Sequence, residues 1–125
     1  MSHLNTGTSV IRDIACLEAA VKTFAGCTMQ PAKSFRAYLG GECEHAITVP
    51  KSYYQLGVVK QKDGTYRLAY DADESRIPQT FGDKLCKLQQ QYNRQRVLKS
   101  ARAKGFTVNE QKQPDGSIRL QLLSA

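Results

Sequence analysis

The sequence predicts an α+β fold in which two helices pack on one face of a mostly antiparallel sheet. Two observations lead there. Strand-like and helical periodicities follow one another in the order strand, helix, several strands, helix, two strands. Two turn signals, Asp63-Gly64 and Pro114-Asp115-Gly116, join neighbouring strand-like runs as hairpins, which forces antiparallel pairing. A ferredoxin-like core with an added hairpin is the simplest threading of that order. The length, 125 residues, fits one domain over 1–125 with a single core.

Each element has its own signal. From Ser2 to Ile11, Thr6, Thr8, Val10 and Ile11 favour a strand that Gly7 weakens. Asp13 to Phe24 reads as a helix, because Ile14, Leu17, Val21 and Phe24 form one apolar stripe; Asp13 is the N-cap and Gly26 the stop. Ser34 to Leu39 and His45 to Val49 read as strands around Gly40-Gly41. Tyr53 to Lys60 and Thr65 to Tyr70 flank Asp63-Gly64; Tyr66, Leu68 and Tyr70 alternate with Arg67 and Ala69. The stretch from Asp71 to Gln79 is acidic, then carries Pro78, and reads as a loop.

A helix from Lys84 to Lys104 follows. Thr80 and Asp83 have capping-box spacing, and Gly105-Phe106 fits a Schellman ending. Leu85, Leu88 and Tyr92 share one side, while Val97, Leu98 and Ala101 drift to another. That drift predicts a kink near Asn93 or two helices. The last hairpin runs from Phe106 to Lys112 and from Ser117 to Leu122, with Ile118, Leu120 and Leu122 on one face.

The whole net charge of +7 sits in the second helix. Lys84, Lys87, Arg94, Arg96, Lys99, Arg102 and Lys104 occur there with no acid, leaving eleven Lys and Arg against eleven Asp and Glu elsewhere. A local positive surface attracts RNA, DNA or an acidic protein face; it does not imply a reaction. No i,i+4 acid offsets repulsion along this helix, and a solvated helix face is the plainer account of the same residues. No run approaches the roughly 20 apolar residues of a membrane span. The N-terminus lacks the basic and apolar regions of a secretory signal. Cys16, Cys27, Cys43 and Cys86 are scattered without a Cys-x-x-Cys, the usage of reduced, partly buried thiols in a cytosolic chain.

Several stretches, in order, resemble an uncharacterised hypothetical chloroplast reading frame family, domain of unknown function 1257, found in plastids, cyanobacteria, other bacteria and phages. The residues are Met1-Ser2-His3 and Ile11-Arg12-Asp13 with Leu17, then Arg36-Ala37-Tyr38 with Gly40 and Ala46. Next come Tyr54-Gln55-Leu56-Gly57-Val58 and Asp63-Gly64-x-Tyr66. The strongest run from Tyr92 through Val97-Leu98 and Ala101 to Gly105-Phe106-Thr107-Val108, ending Asp115-Gly116-Ser117-Ile118-Arg119-Leu120. The chain departs from the pattern at Cys27 to Pro31, short and broken by proline, and at Glu42-Cys43-Glu44-His45. The resemblance implies the fold and cytosolic or organellar solubility, and transfers no catalytic residue.

Other constellations are weaker. On a strand, Cys43 and His45 face one way, as two metal ligands or a thiol and its base would; an exposed polar turn is the bland reading. Tyr53, Tyr54, Tyr66 and Tyr70 lie on neighbouring strands, where they stack bases or simply pack. His3 lies near the amino terminus, one register from a terminal copper or nickel site once Met1 is removed. Phosphate-loop, Gly-x-Ser-x-Gly and His-Glu-x-x-His motifs do not occur. The expected function is therefore a small non-catalytic module that contacts an acidic partner through the seven cations. RNA or an RNA–protein assembly comes first, since no DNA-recognition helix pair is visible. A protein adaptor using a sheet face or edge is the alternative, and a thiol or metal enzyme on Cys43 and His45 the third. No cofactor, metal or membrane is expected, and the cytoplasm, plastid stroma or a phage-infected host cytoplasm is the expected location.

Overall fold

The computed structural model describes residues 4–6, 10–38, 40–71 and 76–124. Their elements are β1 (Leu4–Thr6), α1 (Ile14–Lys22), β2 (Thr28–Pro31), β3 (His45–Thr48), β4 (Leu56–Lys60), β5 (Tyr66–Asp71) and α2 (Arg76–Phe81). A 3-10 turn (Asp83–Leu85), α3 (Cys86–Ala103), β6 (Phe106–Lys112) and β7 (Ile118–Ser124) complete them. The fold is α+β, as the periodicities predict. His3 and the Met1 to His3 part of the resemblance lie outside the described residues.

Both hairpin signals close by the same chemistry. Gly64 and Gly116 sit at φ 86° and 89°, a region that only glycine enters freely. Before each, an aspartate Oδ1 accepts two bonds: Asp63 from the N–H and hydroxyl of Thr65, Asp115 from those of Ser117. The hydroxyl bond first, then the amide, holds each carboxyl below its ordinary value.

Among the described residues, five strands form one sheet in the order β1-β5-β4-β3-β2, and β6 pairs with β7 in a separate ribbon. All of these pairings are antiparallel. The ferredoxin-like threading is not the one adopted: it interleaves strands through helical crossovers, whereas β2, β3, β4 and β5 lie side by side in sequence order. Residues 49–55 and 61–65 are too short for such crossovers, so β3, β4 and β5 meander.

One sheet face carries the core. Met29, Ile47, Leu56, Val58, Leu68 and Tyr70 pack against Leu17, Ala20 and Val21 of α1 and Leu88 and Tyr92 of α3. Phe24 and Phe81 meet edge to face, with ring centroids 4.9 Å apart. Of the strand expected at Ser34 to Leu39, the described residues 34–38 form none; Ser34 makes one isolated bridge to Glu42. That segment instead crosses the other face and sets Phe35 on a shelf of small residues. Ala46, Gly57 and Ala69 are register partners across β3, β4 and β5, which leaves room for the ring. The strand that does form, β2, ends at Pro31, on a sheet edge where a missing N–H is tolerated.

The region expected to be a loop also differs. Pro78 is the third residue of α2, within the first turn, where its missing N–H would have had no intrahelical partner. Thr80 falls inside α2, so the capping box does not form. The chain instead turns through Gly82, Lys84 and Leu85, all at positive φ. The strain at two non-glycine residues is offset by complete burial of Leu85. No kink occurs near Asn93: α3 is a single helix of 18 residues. Its buried stripe drifts because its two halves meet different surroundings; Leu88 and Tyr92 belong to the main core cluster, Leu98 and Ala101 are buried outside it. Gly105, at φ 79°, ends it as expected and donates to Arg102 O at 3.1 Å.

A Cβ at Gly57 would lie 2.3 Å from Phe35 Cδ1. Gly57→Ala is thus expected to destabilise the fold by about 1–3 kcal/mol, as overpacking does, read as a lower urea midpoint. An unchanged midpoint would show that Phe35 does not rest on this shelf.

Candidate nucleic-acid interface

The seven cations of Lys84 to Lys104 fall into distinct environments. Arg94 and Lys99 are engaged by acids from elsewhere in the chain. Arg94 reaches Glu110 of β6 through two bonds, Nε to Oε2 at 2.9 Å and Nη2 to Oε1 at 2.7 Å. This bidentate pair ties the β6–β7 ribbon to α3. Lys99 Nζ lies 2.6 Å from Asp13 Oδ2.

Asp13 has two duties. Its Oδ1 accepts from Cys16 N–H at 3.1 Å and so caps α1, as its place in the sequence predicts. Its other oxygen holds Lys99. Beside it, Tyr92 Oη accepts from the backbone N–H groups of Arg12 at 2.9 Å and Asp13 at 3.1 Å. Arg96 Nη1 donates to the same oxygen at 3.0 Å. Tyr92, Arg96 and Lys99 have i, i+4, i+7 spacing, so one stripe of α3 meets the start of α1. Cations there would oppose the positive end of the α1 dipole; the Asp13 carboxylate offsets both.

A groove of about 600 Å³ opens beside this junction. Arg96, Lys99 and Lys104 line it with Asp13, and Val97, Ala101 and Phe106 give it apolar surface. Arg102 lies in the last turn of α3 and is exposed. Lys84 and Lys87 lie at the other end of the helix. Lys87 faces Lys112 across a cleft of about 390 Å³ that Phe24 and Ile118 also line. Among the described residues, Lys84, Lys87, Arg96, Arg102 and Lys104 have no carboxylate partner. The structure thus brings Arg96, Lys99 and Lys104 together, turns Arg94 to the ribbon and leaves Lys84 and Lys87 apart. Lys112 is the cation the sequence reading missed; only the return of the hairpin along α3 places it near Lys87.

Cys43 and His45 are not brought together. Cys43 packs with Phe35 and Ala46 on the back of the sheet and donates its S–H to Ala32 O at 3.3 Å. His45 pairs in register with Val58, two residues before Ile47, and so belongs to the helix-facing side. A bend at Glu44 breaks the alternation that would have aligned them. Burial, and then the Glu44 charge, raise the Cys43 thiol, the reverse of an activated thiolate. Of the tyrosines, Tyr70 is buried and Tyr66 half-buried against the core, whereas Tyr53 stands in solvent. Among the described residues no helix is long and apolar enough to cross a membrane.

Fold and groove define an α+β domain with a cation-rich helix laid between its sheet and a β-ribbon. Within that class the chain belongs to the family described as Protein of unknown function (DUF1257), whose model matches residues 23–121. The matched span begins just after α1 and ends within β7. No curated protein and no solved structure matches the chain.

The Lys99 bond, then the Cys16 amide, lower the Asp13 pKa from 3.8 to about 2. A carboxyl depressed by folding adds stability above its unfolded pKa and loses it as pH falls through the folded one. With 21% of the side chain exposed, the contribution is about 1–2 kcal/mol. The urea midpoint is expected to fall between about pH 5 and pH 2. Asp13→Asn should lower it at pH 7 and make little difference at pH 2. An equal deficit at both pH values would contradict the coupling.

Proposed function

We propose that this chain is a nucleic-acid-binding module, with RNA or an RNA–protein assembly as its partner, that contacts backbone phosphates along α3. The observation that carries the reading is the groove where Arg96 and Lys104, without carboxylate partners among the described residues, flank apolar Val97 and Phe106. Phosphates supply the charge such a surface lacks, and displacement of their counterions drives binding. Arg102, Lys84 and Lys87 add to the field, while Arg94 and Lys99 mainly hold the fold. No reaction is assigned, since Cys43 and His45 lie on opposite faces of the sheet.

A second cleft favours the adaptor reading as the alternative. Ile118, Leu120 and Val97 line about 370 Å³ between α3 and β7, beside Gln89 and Asn93. There Gln89 Nε2 is buried without a hydrogen-bond partner among the described residues. A peptide carbonyl would satisfy that donor.

With three cations engaged, affinity for a single-stranded RNA should fall about 20-fold between 50 and 200 mM salt. Replacing Arg96, Arg102 and Lys104 together by Gln should weaken it at least tenfold at low salt while circular dichroism stays native. Binding that ignores the triple change would sink the groove reading. A stoichiometric protein partner that survives nuclease in affinity purification would favour the adaptor.

A further inference from the structure

We infer that Arg36 and Tyr53 form a stacking platform for an unpaired nucleobase, which rests on the nucleic-acid reading above and narrows the partner to single strands. Tyr53 is the most exposed of the large apolar side chains described, at 71%. An aromatic ring left in water contributes little to the core, yet this one has defined neighbours. Arg36 Nε donates to Tyr53 O at 2.8 Å, and its guanidinium carbon lies 5.1 Å from the ring centroid. Tyr54 meets the same ring edge to face at 5.6 Å, and Ser52 Oγ donates to Tyr54 O at 2.8 Å.

The support beneath is buried. Gln55, 8% exposed, accepts from Arg36 N–H through Oε1 at 3.1 Å and donates through Nε2 to Thr48 Oγ1 at 3.0 Å. Its own N–H donates to Arg36 O at 2.6 Å. A buried amide therefore fixes two segments distant in sequence, residues 34–38 and 49–55, so that the Arg36 guanidinium lies over one face of the exposed Tyr53 ring. That pairing suits a base: the ring offers a π face, the guanidinium a second planar surface and a charge for the neighbouring phosphate. A paired base is already stacked within its duplex and cannot use it.

The test is fluorescence anisotropy of the full chain with a labelled ten-nucleotide single-stranded RNA, the same sequence as a duplex, and the single strand with abasic positions. Tyr53→Ala is expected to weaken the single strand about tenfold, to leave the duplex unchanged and to change nothing on the abasic strand; Tyr53→Phe should retain binding. Since the chain has no Trp, tyrosine fluorescence should also fall on binding in the wild type and less in Tyr53→Ala. If Tyr53→Ala binds the single strand as well as wild type does, while the Arg96, Arg102 and Lys104 variant is weakened, the platform is wrong and the groove stands. Failure of the wild type to bind single strands overturns both.

Discussion

The phenol oxygen of Tyr92 is the point on which the arrangement turns. It takes the backbone N–H groups of Arg12 and Asp13, which lie just ahead of the first helical turn of α1 and have no helical partner. Its ring is buried in the core that α1 and the sheet share. One side chain thus satisfies the start of one helix and seats the middle of another. Arg96 and Lys99 follow from it at helical spacing, and Asp13 answers the charge they bring. Had α3 been rotated, the same cations would face the core or the ribbon, and the groove beside Asp13 would not exist.

This division of labour resolves why a helix without a single acid remains in place. Its counter-charges come from distant chain segments: Asp13 at the start of α1 and Glu110 on the ribbon. The Arg94–Glu110 pair is partly shielded, where an ion pair is worth more than on an open surface, and in the Lys99 pair it is Asp13 that is sheltered. The remaining cations repel one another, and on the proposed function that residual field is what a phosphate backbone relieves. Arg102 and Lys104 also sit where the negative end of the α3 dipole favours them, so their cost to the fold is small.

Much of this was legible from residues with local consequences. Asp13 as a cap, the two Asp-Gly turns and Gly105 as a stop depend on nearest neighbours, and each forms as read. What was not legible depends on where the chain returns. Phe35 sits in a segment with strand-like residues, but its ring is drawn to a shelf made by Ala46, Gly57 and Ala69, which only the finished register aligns. Leu85 ends in a left-handed conformation against its own preference because burial outweighs the strain. The seven cations were visible as a cluster in sequence. Their sorting into Arg94 and Lys99, held by acids, and Arg96 and Lys104, facing a groove, required the positions of Asp13 and Glu110. Arg36 and Tyr53 carry no motif, and their meeting depends on Gln55.

The central claim is that α3 uses some of its charges to hold the fold and offers others to a polyanion. The slope of log affinity against log salt for single-stranded RNA, compared between Lys104→Gln and Arg94→Gln, separates the two. The account predicts a slope shallower by about 0.7 for Lys104→Gln, with stability little changed. For Arg94→Gln it predicts an unchanged slope and a loss of about 0.5–1 kcal/mol in unfolding. Equal loss of slope in both variants, or none in Lys104→Gln, would contradict it.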